Sequence, residues 1–362
     1  MDSKKYNNIK LGISIFNGLL SFALLFLLVS SNLSREIVEL WSNYFTNSYI
    51  ILLLFIFSVG IAFSIIFSPL NYYSNFYLEH KYNLSNQTFI KWIWEGSKAL
   101  FVSLVIGIPI LLFLFYSLNR YENFWWLPFA ILLFLVSVVL ARIIPTIILP
   151  LFYKIIPIEN EELKLRINKL AVNAGIKVEN VYSFDMSKNT KKANAAFTGL
   201  GKSKRIILGD TLLNNFSLDE IETVIAHELG HYKKKHILKN IIIGTVSSFL
   251  TLFLISLLYD NTLGLFGFKD RSAIAAFPLI SIWAMIIGLI QLPFTNMISR
   301  KFEYEADNYS ILVTKKPQVF ADALNKLNKQ NLGDENPHPL VEWYFNSHPS
   351  VSRRIKKIEL SL

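Results

Sequence analysis

The chain has 362 residues, of which 52% are hydrophobic and only 17% are charged, and its mean hydropathy is +0.39. These values lie outside the range of ordinary soluble proteins. The formal net charge is +10, but an excess of Lys and Arg is typical of the cytoplasmic loops of a multi-pass membrane protein, so we exclude nucleic acid as a partner. There is no cysteine, which excludes disulfides and thiolate metal sites and leaves His and carboxylate side chains as metal ligands.

Long apolar runs with few charges predict membrane-spanning helices and make the lipid bilayer a partner of the chain. Each run has at least about 18 residues, which at about 1.5 Å per residue is close to the length needed to cross the hydrocarbon layer. The first run follows a Lys-rich tail and has no small-residue cleavage site, so we interpret it as a retained anchor and not a signal peptide. We predict six spans, at about 11–30, 49–69, 99–118, 124–141, 240–259 and 273–298.

The distribution of basic residues predicts the orientation of these spans. The N-terminal tail and the loop at 70–98 are rich in Lys, whereas the loops that alternate with them hold few basic residues. Because basic loops stay in the cytoplasm, both termini and the long segment 150–238 are predicted to be cytoplasmic. We therefore expect a multi-pass integral membrane protein, in the cytoplasmic membrane of a bacterium or the endoplasmic reticulum membrane of a eukaryote.

The segment after the fourth span predicts a small sheet. Residues 159–174 have apolar positions at helical spacing and end at Gly175, which predicts a helix. Apolar stretches bounded by turn residues follow this helix and predict strands. The predicted strands lie at 181–186, 193–199 and 205–208, with a Gly-rich turn at 199–203.

The next helix carries the most informative motif, His227-Glu228-Leu229-Gly230-His231. Ser217 and Glu220 predict a capping box at its start. Residues four apart share a helix face, so both imidazoles can bind one zinc ion. Glu228 is then placed to act as general base on a water that the zinc ion activates. The pattern also allows this helix to continue through the lysines at 233–235 into the fifth span.

A catalytic zinc ion needs a third protein ligand and an open coordination position. The fifth span leaves the cytoplasmic face and the sixth returns to it, so His231 and the segment after residue 298 are held near the same face. In that segment Glu303 and Asp307 are four residues apart and share a helix face. One of them can bind the metal while the other accepts a hydrogen bond from a ligand imidazole. Glu305 is expected to point elsewhere.

These motifs together resemble the integral-membrane CAAX prenyl proteases, a family of zinc metallopeptidases. The resemblance covers roughly residues 50–358. It implies a mostly α, polytopic fold of about six spans with an interleaved zincin-like catalytic region that carries a small β-sheet. The matching stretches lie at 194–197, 204–208, 210–213, 227–231, 299–307, 327–333 and 347–349.

The resemblance also implies the metal site and the reaction. His227, His231 and Glu303 would bind one Zn²⁺ per chain, Glu228 would be the general base and Asp307 would hold a ligand imidazole. The enzyme would be a zinc metalloendopeptidase that cleaves a peptide or protein. A C-terminal CAAX-type or prenylated peptide is the substrate that the family implies.

Further roles follow only from the resemblance. His348 and Arg354 would lie near the scissile carbonyl and stabilise the oxyanion or the substrate backbone. The strand of Asn194 and Ala195 would bind the substrate as an added edge strand. The family's eukaryotic members have seven spans around a large chamber, so this chain is expected to lack one N-terminal span. The other histidines match no catalytic position, and surface or interfacial roles are expected for His80, His236 and His338.

Membrane and cytoplasmic parts alternate along the chain, and we treat them as one integrated domain. Its parts are four N-terminal spans (1–158), the cytoplasmic sheet and motif helix (159–236), two further spans (237–298), and the third-ligand helix with a C-terminal cap (299–362).

Three other interpretations are compatible with parts of this sequence. An intramembrane site-2-type protease would hold its motif helix inside the bilayer, which the adjacent lysines at 233–235 oppose. The membrane quality-control protease HtpX shares the ligand set but is shorter, and the tail at 347–349 favours the prenyl protease type. A non-catalytic transporter or scaffold would hold a closed, four-ligand structural zinc, for which no fourth His or Cys is evident.

Overall fold

The computed structural model describes residues 2–175, 181–198 and 205–360. Within these ranges helices dominate. They are α1 (Asp2–Ser30), α2 (Leu33–Ser42), α3 (Ser48–Tyr72), α4 (Leu78–Lys81), α5 (Phe89–Arg120), α6 (Trp126–Ile143), α7 (Leu149–Phe152), α8 (Glu161–Ala174), α9 (Asp210–Asn215), α10 (Leu218–Lys233), α11 (His236–Thr262), α12 (Phe277–Thr314), α13 (Pro317–Gln330), α14 (Pro339–Phe345) and α15 (Val351–Glu359). The strands are β1 (Ile155–Pro157), β2 (Val181–Phe184), β3 (Ala195–Thr198) and β4 (Arg205–Gly209).

Six helical segments in the described part of the chain are long and apolar enough to span a membrane, which confirms the predicted number. Two of them contain a single π-helical turn, at Tyr73–Tyr77 between α3 and α4 and at Ile144–Ile148 between α6 and α7. The most apolar stretch of the sixth span is 44% buried, against 11–17% for the others. The sixth span is therefore the central helix, and the other five leave most of their apolar surface to lipid.

This central helix, α12, runs without a break from the membrane into the candidate site. Its 38 residues extend about 57 Å, which exceeds the hydrocarbon thickness by several turns. It packs against α1 and α11 in the membrane and against α10 and α13 beyond it. The sixth span and the segment of Glu303 and Asp307 are thus one rigid element.

Contacts between distant segments show which ends of the spans lie on one side. Tyr6 donates a hydrogen bond to Glu79 (2.5 Å), and Lys10 and Lys192 form ion pairs with the same carboxylate at 2.8 and 2.9 Å. The N-terminus, the loop after the second span and the sheet region therefore share one face. On the opposite face, Arg35 donates to the carbonyl of Phe266.

The four strands form one sheet in the order β1-β2-β4-β3. Strands β2 and β4 are parallel, with Val181 opposite Ile206, and β3 is antiparallel to β4, with Ala195 opposite Leu208. The three predicted strands are confirmed, β1 was not predicted, and the predicted turn at 199–203 lies outside the described residues. Strand β3 is an edge strand, and it packs against the motif helix α10.

The start of α10 is as predicted, but its end is not. Ser217 accepts a hydrogen bond from the Glu220 amide, and its own amide donates to the Glu220 carboxylate (2.7 Å), which completes the capping box. The prediction that α10 continues into the fifth span is wrong. It ends at Lys233, and Lys235 adopts a left-handed backbone conformation (φ 58°) before α11 begins. The chain turns there, and this turn directs His236 back toward the motif.

Candidate metal centre

Three side chains from α10 and α12 converge on one point. The Nε2 atoms of His227 and His231 lie 3.2 Å apart, and they lie 3.4 and 3.3 Å from the two carboxylate oxygens of Glu303. Within the part of the chain that the structure describes, this is the group of three that could hold a metal ion. The helical spacing of the histidines and the continuity of α12 produce this arrangement.

Asp307 and Arg354 complete one side of the centre. His227 Nδ1 lies 2.9 Å from Asp307, and Arg354 donates Nε and Nη2 to the two oxygens of the same carboxylate, at 2.9 and 2.5 Å. Both Asp307 and Arg354 are buried. The third guanidinium nitrogen, Nη1, lies 3.6 Å from Glu303. Arg354 therefore compensates the charge of both buried carboxylates and fixes the position of Asp307.

The electrostatic field of this side attracts positive charge. Burial by itself lowers the pKa of His227, but hydrogen bonds with Asp307 and Glu303 outweigh burial and raise it to about 9. For Arg354, burial is likewise outweighed by its contact with Asp307, and its pKa is raised. Asp307 and Glu303 thus stabilise positive charge at the position of His227.

The remaining predicted site residues surround a cavity next to the three converging side chains. His348 is 65% exposed, and its Nε2 lies 3.4 Å from Glu303. Glu228 lies in the wall of the same cavity, which has a volume of about 240 Å³. Its other lining residues include Asn194, Ala195, His227, Glu303 and Arg354. Seven of the nine predicted site residues thus line one cavity. Of the other two, Asp307 lies behind His227, and His231 contacts His227 and Glu303.

No site role was predicted for two contributors, His236 and Asn331, although Asn331 lies in the matching stretch 327–333. His236 was expected at a surface or interface, but it is buried and its Nδ1 lies 3.0 Å from His231 Nδ1. The side-chain amide of Asn331 accepts a hydrogen bond from the Ala193 amide (2.8 Å) and donates one to the Ala193 carbonyl (3.1 Å). Asn331 therefore anchors the chain just before β3. The Asn331 contact joins residues 138 positions apart, and no local pattern indicates it.

The other two histidines lie away from the centre. His80 bonds to the carbonyls of Phe76 and Gln87, and the ring of His338 accepts a hydrogen bond from the Leu340 amide at the start of α14. Both contacts are local in the chain, so we assign these two histidines structural roles.

Comparison with known proteins decides the family. A model described as "Peptidase family M48" matches residues 157–361, and a second, described as "CAAX prenyl protease N-terminal, five membrane helices", matches residues 1–154. The chain belongs to peptidase family M48. Residues 2–154 of this M48 protein hold four spanning segments and the short helix α2, which is fewer spans than the second description gives.

Individual relatives agree with this assignment. "CAAX prenyl protease 1" of Saccharomyces cerevisiae is 35% identical over 310 residues, which cover 80% of this M48 chain and 68% of the relative. "Uncharacterized metalloprotease YhfN" of Bacillus subtilis is 30% identical and covers 99% of the chain and 84% of the relative. The crystal structure of Ste24p from S. mikatae superposes with a TM-score of 0.88 at 30% identity, over 99% of this chain and 88% of that one.

These findings confirm a mostly helical, multi-pass membrane metalloendopeptidase that resembles the CAAX prenyl proteases. They do not favour a transporter, a scaffold or a quality-control protease of the HtpX type over this assignment.

Proposed function

We propose that His227, His231 and Glu303 bind a single zinc ion and that the peptidase activity depends on it. The donor separations of 3.2–3.4 Å carry this proposal. Donors about 2.0–2.1 Å from a tetrahedral zinc ion are about 3.3–3.4 Å apart. The two Nε2 atoms are separated by about this distance, each lies at this distance from one oxygen of Glu303, and one donor atom from each residue lies within 4.8 Å of the others, which suits a shared metal ion. Two imidazoles and one carboxylate are a donor set of catalytic zinc sites, which keep a fourth position for water or substrate.

The surrounding residues can then perform hydrolysis of a peptide bond. Zinc, when bound, supplies a Lewis acid that polarises a water molecule and the substrate carbonyl. We propose that Glu228 removes a proton from that water and later returns it to the leaving amine. His348 stands exposed above Glu303 and would donate a hydrogen bond to the oxyanion. Arg354 holds Asp307 and Glu303 in place and adds positive charge beside the developing oxyanion.

Strand β3 is suited to holding the substrate. The carbonyl of Asn194 accepts a hydrogen bond from the Gly209 amide on β4 (2.9 Å). In an antiparallel pair the next residue turns its polar backbone groups the other way, so those of Ala195 face the free edge of the sheet. We propose that a substrate segment pairs with this edge in an extended conformation, which would lay its backbone along the cavity of Glu228 and His348.

We further propose that the substrate is a C-terminal peptide of the CAAX type, with or without a prenyl group, and that cleavage occurs on the cytoplasmic side. The names of the curated relatives support the substrate class. The side of the membrane is supported by the basic N-terminal tail, which shares a face with the sheet region through Tyr6 and Lys192.

The substitution Glu228→Gln tests the assignment of the base. The purified variant should retain stoichiometric zinc, because Glu228 is not a ligand, but it should lose at least about 100-fold in turnover. Glu222→Gln is the matched control on the same helix, since Glu222 pairs with Lys316 away from the cavity and should leave turnover unchanged. Wild-type turnover by clean Glu228→Gln enzyme would refute the mechanism. Paired farnesylated and unmodified CAAX peptides then test the substrate class.

A further inference from the structure

The second histidine of the motif has a partner that the proposed function does not use. His231 Nδ1 lies 3.0 Å from His236 Nδ1, and His236 Nε2 lies 3.0 Å from a carboxylate oxygen of Glu305. The ring of His236 is buried and stacks on Phe302, with ring centres 4.2 Å apart and planes 9° from parallel. Hydrogen bonding and packing therefore both fix the orientation of the His236 ring.

The two ends of this chain of contacts determine where its protons lie. His231 turns Nε2 toward Glu303 and His227, so a bound metal ion takes the lone pair of Nε2 and the proton resides on Nδ1. Glu305 is a carboxylate and can only accept, so His236 must donate from Nε2. The Nδ1 atom of His236 is then the acceptor for His231. Each group has one consistent role, from the metal ligand to the carboxylate.

The arrangement parallels that of the other imidazole ligand. His227 contacts its carboxylate, Asp307, directly at 2.9 Å, whereas His231 reaches Glu305 through an intervening imidazole. The three acidic residues at 303, 305 and 307 of one helix thus have separate tasks. Glu303 faces the metal position, and each of the other two anchors one histidine. Lys239 also lies near Glu305, at 3.6 Å, and balances its charge.

The break between α10 and α11 makes this contact geometrically possible. In an uninterrupted helix, residues five apart are separated by about 500° of rotation and their side chains do not meet. The left-handed conformation of Lys235 redirects the chain so that His236 faces His231. Such a conformation is unfavourable for a residue other than glycine, and it persists where surrounding contacts enforce it.

We propose that His236 and Glu305 are a positioning pair that orients His231 toward the metal ion and fixes its tautomer. The inference rests on the proposed metal site. Outer partners of this kind raise metal affinity by about 10–100-fold in characterised zinc sites. The pair should therefore act on metal binding itself, and its contribution should be visible without any substrate.

The test measures zinc affinity of the purified, detergent-solubilised full chain by competition with a chromophoric chelator. His236→Leu, which retains bulk but has no acceptor, should bind zinc about 10–100-fold more weakly. His236→Asn, which offers an amide oxygen near the position of Nδ1, should recover part of that loss. Glu305→Gln, at a partly exposed position, should weaken binding less than His236→Leu. The absorption spectrum of the Co²⁺-substituted protein should change in His236→Leu and shift back toward wild type in His236→Asn.

Two controls separate this inference from the metal site on which it rests. His227→Ala must abolish zinc binding, and failure of that control would overturn the proposed site. The variant His338→Leu replaces an exposed histidine at the start of α14, and it should bind zinc as the wild type does. If His227→Ala behaves as expected but His236→Leu has wild-type affinity and an unchanged Co²⁺ spectrum, the positioning pair is refuted. Equal losses in His236→Leu and His236→Asn, with an unchanged spectrum, would also refute it, because they would indicate a packing role.

Discussion

The substitution Gly230→Ala should impair the enzyme without touching any group that performs chemistry. Gly230 lies between the two histidines of the motif where α10 crosses α12. A Cβ atom added there would lie 3.0 Å from the Cα atom of Ala306 and 3.1 Å from both its carbonyl oxygen and Tyr309 Cβ. Ordinary carbon contacts are about 3.5–4.0 Å, so the helices must separate by about 0.5 Å. The main obstacle is backbone, which cannot rotate away.

The expected loss of zinc affinity follows from the metal ligands that lie on each helix. Gly230 immediately precedes His231, and Glu303 lies one turn before Ala306, so the separation acts directly on the distance between the histidines and the third ligand. Metal–ligand distances tolerate about 0.2 Å, so we expect at least a tenfold loss of zinc affinity and a 10–100-fold loss of kcat/KM. The free energy of unfolding should change less. Overpacking costs about 1–3 kcal/mol, but alanine is more favourable than glycine in a helix interior by roughly 1 kcal/mol and offsets part of this cost.

Zinc competition and peptide kinetics on Gly230→Ala measure both effects. Gly244→Ala is the matched control, because nothing lies within 4 Å of the added Cβ in α11. That control should keep wild-type affinity and turnover. Wild-type zinc affinity in Gly230→Ala would show that the helices absorb the methyl group without moving the ligands, and the reasoning from close packing would be wrong.

Two further substitutions probe the elements around the centre. Asn331→Ala removes both hydrogen bonds to Ala193 and frees the chain before β3. The KM for peptide substrates should therefore rise about tenfold with little change in kcat. An unchanged KM would argue against substrate binding at this edge. Ser217→Ala removes the N-cap of α10 and should lower the free energy of unfolding by about 1 kcal/mol, measured by denaturation in detergent. Its kcat/KM should stay at the wild-type value, and a large loss would mean that the cap positions the motif.

Much of the fold was predictable because the signals are local. Apolar length identified the six spans, and turn residues bounded three of the four strands. Strand β1 was missed, since its three residues are too short for a pattern and pair with β2 only in the folded chain. The continuation of α10 into α11 was wrong because the lysines at 233–235 are compatible with a helix. The turn is accompanied by the packing of His236 between His231 and Phe302, a contact that exists only in the folded chain.

The candidate site likewise has features that local sequence signals predict and features that depend on tertiary packing. The pairing of His227 with His231 and of Glu303 with Asp307 was evident from the sequence, because residues four apart share a helix face whatever surrounds them. The tertiary structure was needed to show that α10 and α12 cross at Gly230 closely enough for these pairs to meet. It also decided that Asp307 and Glu305 anchor different histidines. Such contacts join residues that are tens of positions apart, and their geometry depends on how whole helices pack, which no local periodicity encodes.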